Sequence, residues 1–327
     1  MSAHALDKDL HAVAVSARAE LVRAIGLSGA WDTDPGWRAV FAAVPRHLFV
    51  PYYYVGVPDG DGRGRGHERL WRGSTDPGAR ERWLRGVYAD VPLATRLRDG
   101  ELVSSSSQPS LMARMLAELR VTDGDRVLEI GAGTGYNAAL LAHRLGDDLV
   151  TTVDLEPEIT ESARTHLADA GYRPAVVTGD GTRGVPGHGP YDRIVATCAL
   201  TTVPRAWIAQ CRPGARVLAP LATGLIALTV RDPTHAEGTF LDTAAYFVPL
   251  RGTGPTTPSE IPHRPGDPEP LRFLLTLTHG TLAPQDAREL WEREGRPGRE
   301  RYGVTVAGAR VWAWLDAPEG PYTWPLR

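Results

Sequence analysis

Cysteine is nearly missing from this chain of 327 residues, with Cys198 and Cys211 its only two. Two thiols cannot build a disulfide framework, and by themselves they cannot hold a structural zinc. Long apolar runs are missing too. No stretch reaches ~18 consecutive apolar residues, which excludes a membrane-crossing helix and makes a membrane an unexpected partner. Neither sign of charge dominates, because the formal net charge is −3. Without a basic field, nucleic acid is not an expected partner. The histidines, His4 and His11 among them, lack metal-ligand spacing, so no metal is expected. Lysine is reduced to Lys8, a bias toward arginine that carries no functional reading. The polar, acid-bearing start MSAHALDKDLHAVA does not read as a signal peptide. These absences describe a reduced, cytoplasmic protein. Apolar residues make up 42% of it, enough for a packed core and about two domains or one large domain with additions.

What is present falls into zones. Residues 1–99 read as a helical N-terminal region. ALDKDLHAVAVSARAELVRAIGL carries apolar positions at helical spacing, and WRAVFAAVP makes a second helix stopped by Pro45. The Gly- and Arg-rich stretch within 58–86 has no periodicity and predicts a mobile loop or insertion. Residues 100–250 alternate strand and helix. RVLEI, LVTTVDL, PAVVTG, DRIVATC and RVLAPLA read as strands, and SLMARMLAELR, YNAALLAHRL, ITESARTHLADAG and PRAWIAQC as helices. Such alternation implies a parallel sheet covered by helices on both faces. LIALTV and TFLDTAAYFVPL suit an antiparallel pair at the sheet edge. Residues 251–327 read as a proline-rich linker and a small C-terminal α+β domain, a candidate peptide binder. In it LRFLLTLTH looks strand-like and APQDARELWEREG helical.

LEIGAGTGYNAALLA is the most informative segment. A strand ends at Ile130, Gly131-Ala132-Gly133-Thr134-Gly135 makes a turn, and a helix follows. Glycines let the backbone approach a ligand, and the helix start offers free N–H groups and a positive dipole end. Glu129 precedes the turn, and Asp154 ends the next strand with Leu155 beside it, the usual place for a ribose-hydroxyl acceptor. Two cofactor readings meet here. A dinucleotide fold would show G-x-G-x-x-G, whereas this turn is G-x-G-x-G with an acid two residues ahead.

That variant resembles the S-adenosylmethionine (SAM) loop of class I methyltransferases, in which the leading acid faces the methionine end of the cofactor. Gly179-Asp180-Gly181 falls where such enzymes place an acid near adenine. VPRHLFVP, YADVPL, SSSQPSLMARML, the glycine loop, GDG and PYDRIVATCA occur in the order seen in protein-L-isoaspartate O-methyltransferases, over about residues 40–222. The resemblance implies a class I methyltransferase fold, a Rossmann-like, doubly wound and mainly parallel seven-stranded sheet. It implies SAM as methyl donor, S-adenosylhomocysteine as product and a carboxylate as acceptor. The family's T-I-S-x-P segment is Ser105-Ser106-Ser107-Gln108-Pro109 here, and its usual histidine after the proline is Ser110. Ser107 matches the active-site serine, with Ser106 beside it as the second catalytic candidate. Ser105, Ser107, Met112, Glu129, Gly131, Gly133, Gly135, Asp154, Leu155, Asp180, Gly181 and Thr197 are the expected cofactor contacts.

The serine departures and the extra segments at 58–86 and after Pro249 further resemble relatives that accompany ribosomal-peptide pathways for lanthipeptides and graspetides. That resemblance implies methylation of an aspartate in a modified, for instance macrocyclic, precursor peptide, followed by closure to a succinimide and hydrolysis to isoaspartate. A general isoaspartyl repair methyltransferase is the second reading, and a non-catalytic SAM- or peptide-binding module the third. The sequence carries no signal for oligomeric state.

The chemistry asks little of the protein. The methyl of SAM is already electrophilic, so a carboxylate needs only to be ionised, dry and in line, with neutral donors such as serine hydroxyls to orient it. No tuned base is required. Each candidate has a plainer alternative. The serines could cap a helix, Asp180-Gly181 could be a turn, Asp192 could start a strand, and Met112, Cys198 and His47 could simply pack. The arginines at 63–85 could be a solvated loop or receive an acidic peptide, and Trp291, Trp312, Trp314 and Trp324 could fill a core or line a peptide-binding surface.

Overall fold

The computed structural model of the chain describes residues 8–58, 65–252 and 264–326. The polar start at 1–7, the Gly/Arg tip at 59–64 and most of the proline-rich stretch, 253–263, lie outside the described residues.

Helix α1 (Lys8–Leu27) buries Leu10, Ala14, Leu21, Val22 and Ile25, a single apolar stripe. Helix α2 (Trp37–Ala43) ends where Val44 turns extended ahead of Pro45. Strand β1 (Tyr52–Pro58) follows. The segment expected to be an unstructured loop departs from that expectation. Residues Arg65–Trp71 form strand β2, paired antiparallel with β1 from Tyr52↔Trp71 to Pro58↔Arg65. Residues Pro77–Val87 form helix α3, capped by Asp76, which accepts from the amides of Gly78 (2.9 Å) and Ala79 (3.1 Å). Trp83 on α3 is fully buried, and its indole N–H donates to the Val50 carbonyl at 3.0 Å. An edge strand with a solvated face carries charge, which masks the alternation that reveals a strand.

Strands β3 (Leu93–Arg98) and β4 (Glu101–Ser106) form a hairpin. Most of the serine run is therefore the end of a strand. Period-2 alternation sends Ser104 and Ser106 inward and leaves Ser105 and Ser107 half-buried. After helix α4 (Pro109–Leu119) the expected alternation appears as β5 (Val127–Ile130), α5 (Tyr136–Leu145), β6 (Val150–Asp154), α6 (Pro157–Asp169), β7 (Ala175–Thr178), β8 (Tyr191–Ala196), α7 (Arg205–Ala209), β9 (Cys211–Leu221), β10 (Gly224–Asp232) and β11 (His235–Ala244).

The stretch LRFLLTLTH is helix α8 (Glu269–Leu277), not a strand. Leu271, Leu274 and Leu275 recur at helical spacing, and Pro268 sits just ahead of the first turn; a short apolar run fits both periods. Helix α9 (Pro284–Arg293) and strands β12 (Tyr302–Ala307), β13 (Arg310–Leu315) and β14 (Thr323–Pro325) complete the chain.

The fold divides into two compact units, Met1–Gly124 with Ala132–Val177 and Asp125–Gly131 with Thr178–Arg327, rather than at the three sequence zones. In the first, the antiparallel sheet runs β2-β1-β3-β4, and β6 lies beside β7. Its core joins α2 to α5 through Phe41 and Tyr136, whose rings meet edge-on at 6.3 Å. In the second, the strands run β14-β13-β12-β11-β10-β9-β8-β5. Strand β8 is parallel to β5 and β9, and the pairs from β9 outward are antiparallel. The register His235↔Ala307 to Thr239↔Gly303 welds β12 to β11. The C-terminal strands thus extend an existing sheet instead of forming a detached domain. Phe240, Phe273, Tyr302 and Trp324 pack in sequence there, with ring centroids 4.8, 5.4 and 6.5 Å apart. No helix among the described residues is long and apolar enough to cross a membrane.

Candidate active site

The turn after β5 holds its three glycines at φ +98° (Gly131), +49° (Gly133) and +84° (Gly135), the left-handed region that side chains resist. In the second unit, a Cβ on Gly131 would fall 2.6 Å from Thr197 Oγ1. That hydroxyl faces the carbonyls of Gly131 at 2.8 Å and Ile130 at 3.2 Å. Thr197 therefore braces the turn, where a ligand contact was expected. Glu129 is fully buried on β5. Asp180 Oδ1 accepts from the amide and hydroxyl of Thr182 at 2.9 and 2.7 Å, making the plain turn that the D-G pair allowed. Gly181 is required by close approach, because a Cβ there would meet Ile130 Cγ2 at 2.7 Å, and its carbonyl accepts from the Trp207 indole at 2.8 Å.

In the first unit, the Gly133 amide donates to Asp154 Oδ2 at 3.2 Å. Asp154 and Leu155 are half-buried at the end of β6. Gly133 lies against the serine strand, since a Cβ on it would stand 3.5 Å from the Ser105 carbonyl. The glycine turn and the serine run, far apart in sequence, are neighbours here. Gly135 lets α6 approach, with Ala163 O and Leu167 Cγ both 3.2 Å from where its Cβ would sit. Met112 is buried in α4 among the core residues, as its packing alternative had it.

The two catalytic candidates separate sharply. Ser106 is buried, and its hydroxyl accepts from Arg46 Nη2 at 3.1 Å and Nε at 3.3 Å. The expectation that it faces a substrate is corrected, because strand alternation turns it inward. Ser107 is half-buried, and its hydroxyl makes no hydrogen bond among the described residues.

Sequence reasoning missed Arg46. It is completely buried and donates to the carbonyls of Val87 (2.8 Å), Ala89 (3.3 Å), Ser106 (3.2 Å) and Ser107 (3.0 Å). Burial lowers its pKa to about 10, with Tyr136 and Asp90 pulling the other way, so it stays charged at neutral pH. The available signal was an arginine inside the apolar octet VPRHLFVP. Its neighbour His47 is pushed down to about 4, first by burial and then by Arg18, Arg72 and His11. Its Nδ1 lies 2.7 Å from the Tyr88 hydroxyl, whose own pKa burial raises to about 12. Asp90, also missed, accepts from the Ser110 amide at 2.8 Å and from Gln108 Nε2 at 3.3 Å, fixing the start of α4.

The remaining candidates take their plainer roles. Asp192 Oδ2 accepts from the Arg126 amide (2.9 Å) and Arg212 (2.6 Å) at the base of β5. Cys198 is buried. Trp291, Trp314 and Trp324 are buried, so these three rings fill a core instead of offering a binding surface, whereas Trp312 is half-buried and donates to the Pro318 carbonyl at 3.1 Å.

A glycine-rich turn, acids at strand ends and an unengaged hydroxyl can bind a nucleoside-bearing cofactor and orient an anion; they supply no strong base. Comparison with known proteins agrees. The family model of protein-L-isoaspartate(D-aspartate) O-methyltransferase (PCMT) matches residues 79–253. A protein-L-isoaspartate O-methyltransferase of Aeropyrum pernix is 33% identical over 217 residues, covering 64% of this chain and 70% of the relative. A solved protein-L-isoaspartate O-methyltransferase superposes with a TM-score of 0.60 at 23% identity, covering 94% of this chain and 98% of its own. Its coverage corrects the view that the C-terminal residues are foreign to proteins of that name. A Plasmodium falciparum chain described as a protein-L-isoaspartate O-methyltransferase, in complex with S-adenosyl-L-homocysteine, has a TM-score of 0.52 at 14% identity, covering 71% of this chain and 97% of its own. The fold is that of class I SAM-dependent methyltransferases, an α/β fold with a helical N-terminus and a C-terminal sheet addition. With SAM as its cofactor and a carboxyl group as its acceptor, this chain belongs to the protein-L-isoaspartate O-methyltransferase family.

Proposed function

We propose that the acceptor is the free carboxylate of an isoaspartyl residue in a peptide or protein, and that Ser107 orients it. The observation that carries this reading is the contrast between the two serines: Arg46 engages the Ser106 hydroxyl, while that of Ser107 is left to donate elsewhere. The turn suits SAM because its glycines hold the left-handed conformation that lets backbone amides approach a ligand closely. Glu129, the backbone of Gly131, Gly133 and Gly135, Asp154 with Leu155, and Asp180 with Gly181 would hold it. Bound SAM supplies an electrophilic methyl group.

The chain's own part is orientation. A carboxylate enters as an anion and leaves as a methyl ester, so no proton has to move. Ser107, as a neutral donor, holds one carboxylate oxygen without removing its charge, and alignment supplies most of the acceleration. His47, whose Nδ1 lies against the Tyr88 hydroxyl, is not needed as a base, because the carboxylate carries no proton to remove.

A second reading keeps the enzyme and changes the peptide: an aspartate in a modified ribosomal precursor, carried on to a succinimide. Ser105-Ser106 and Ser110, standing where the family pattern resembled in the sequence has Thr-Ile and His, favour it, because Ser110 joins a polar cluster with Gln108 and Asp90 beside Ser107. Labelled SAM offered with an isoaspartyl peptide, its aspartyl counterpart and a macrocyclic precursor distinguishes the two. Turnover confined to isoaspartyl peptides of varied sequence supports the first reading. Turnover of the precursor alone overturns it in favour of the second.

A further inference from the structure

We propose that Arg46 is a positioning residue for methyl transfer, clamping the Ser106–Ser107 segment from behind so that the Ser107 hydroxyl points away from the core toward the acceptor. The inference rests on the reading of Ser107 given above. One guanidinium donates to two consecutive carbonyls, Ser106 O at 3.2 Å and Ser107 O at 3.0 Å, and to the Ser106 hydroxyl at 3.1 Å. It is anchored from the other side by Val87 and Ala89. Arginine suits this place because its planar fork reaches several acceptors at fixed angles; a lysine is a single flexible point charge. With both carbonyls and one hydroxyl drawn inward, the trans peptides leave the segment little freedom. Ser107 is the residue whose hydroxyl this arrangement leaves unengaged. The neighbouring Ser105 carbonyl stands against Gly133, so a shift of the clamp would be felt at both the serine and the glycine turn.

Two arms test the clamp. In the first, kcat is measured with SAM and an isoaspartyl peptide for wild type, Arg46→Lys, Ser107→Ala and the double variant. Arg46→Lys and Ser107→Ala should each lower kcat, roughly 10- to 100-fold for a misplaced donor, and the double variant should fall no further than Ser107→Ala alone. Multiplying losses would mean that Arg46 acts independently of Ser107 and would overturn the proposal. In the second, crystal structures of wild type and Arg46→Lys are compared. Displacement of the Ser107 hydroxyl supports the clamp, and an unmoved Ser107 overturns it. Should Arg46→Lys fail to fold, Ser106→Ala, which removes one acceptor and keeps the charge, takes its place in both arms with the same expectations. If wild type transfers no methyl to the isoaspartyl peptide, the acceptor assignment fails, and the crystallographic arm still decides the clamp.

Discussion

The amide of Gly133 donates to the carboxylate of Asp154 across 3.2 Å, tying the glycine turn to the end of β6. One acid thus fixes the loop and stands at a strand end where nucleoside hydroxyls bind. Replacing Asp154 by alanine should weaken SAM binding about 10- to 100-fold, the range for losing hydrogen bonds to a charged group. Titration calorimetry measures it directly. An unchanged affinity would remove Asp154 from the cofactor site.

Gly131→Ala should be among the most damaging single changes. Its φ of +98° strains any side chain, and the new methyl would lie 2.6 Å from Thr197 Oγ1. A loss of roughly 1–3 kcal/mol of stability is expected, together with loss of SAM binding. Thr197→Val should cost about 1 kcal/mol through the missing hydrogen bond, and it should not rescue Gly131→Ala, because the backbone strain persists. Denaturant titration of the three variants reads these differences.

His47 predicts an acid-side loss of stability. Its pKa stands near 4 in the folded chain and near 6.5 when unfolded, so the unfolded state binds the proton first as pH falls. Stability is therefore present above pH ~6.5, declines between ~6.5 and ~4, and from this group changes no further below that. His47→Gln should flatten that slope, as seen in denaturation midpoints measured across the window.

The C-terminal tryptophans should affect folding without affecting the reaction. Trp314 is buried, and its indole donates to Thr305 Oγ1 at 3.0 Å. Trp314→Phe should lower stability by at least ~1 kcal/mol while leaving KM for a peptide substrate unchanged. A raised KM at unchanged stability would restore the peptide-surface reading.

Much of this architecture was legible because local pattern and tertiary role coincide. Helix α5 spans Tyr136–Leu145 as read, since the glycine turn fixes its start and Gly146 its end. The failures have physical causes. Strand β2 and helix α3 sit in charged, glycine-rich sequence whose solvated faces hide their periods. Strands β3 and β4 carry no clear signal in the sequence because their polar residues alternate with few large apolar ones. In α8, the run Leu271-Arg272-Phe273-Leu274-Leu275 satisfies both periods, and tertiary packing decided. The site was half visible. Glycines and acids announce themselves by spacing, whereas Arg46 acts through backbone carbonyls some 60 residues away, a relation that no local pattern encodes.

Strand β12 occupies the flank of β11 along five register pairs. A bare strand there would present unpaired amides and carbonyls to solvent, a template for any passing chain. The C-terminal strands cover that flank. Shortening the chain ahead of Tyr302 should bare that flank and raise aggregation on standing, measured by light scattering, even where the glycine turn is untouched.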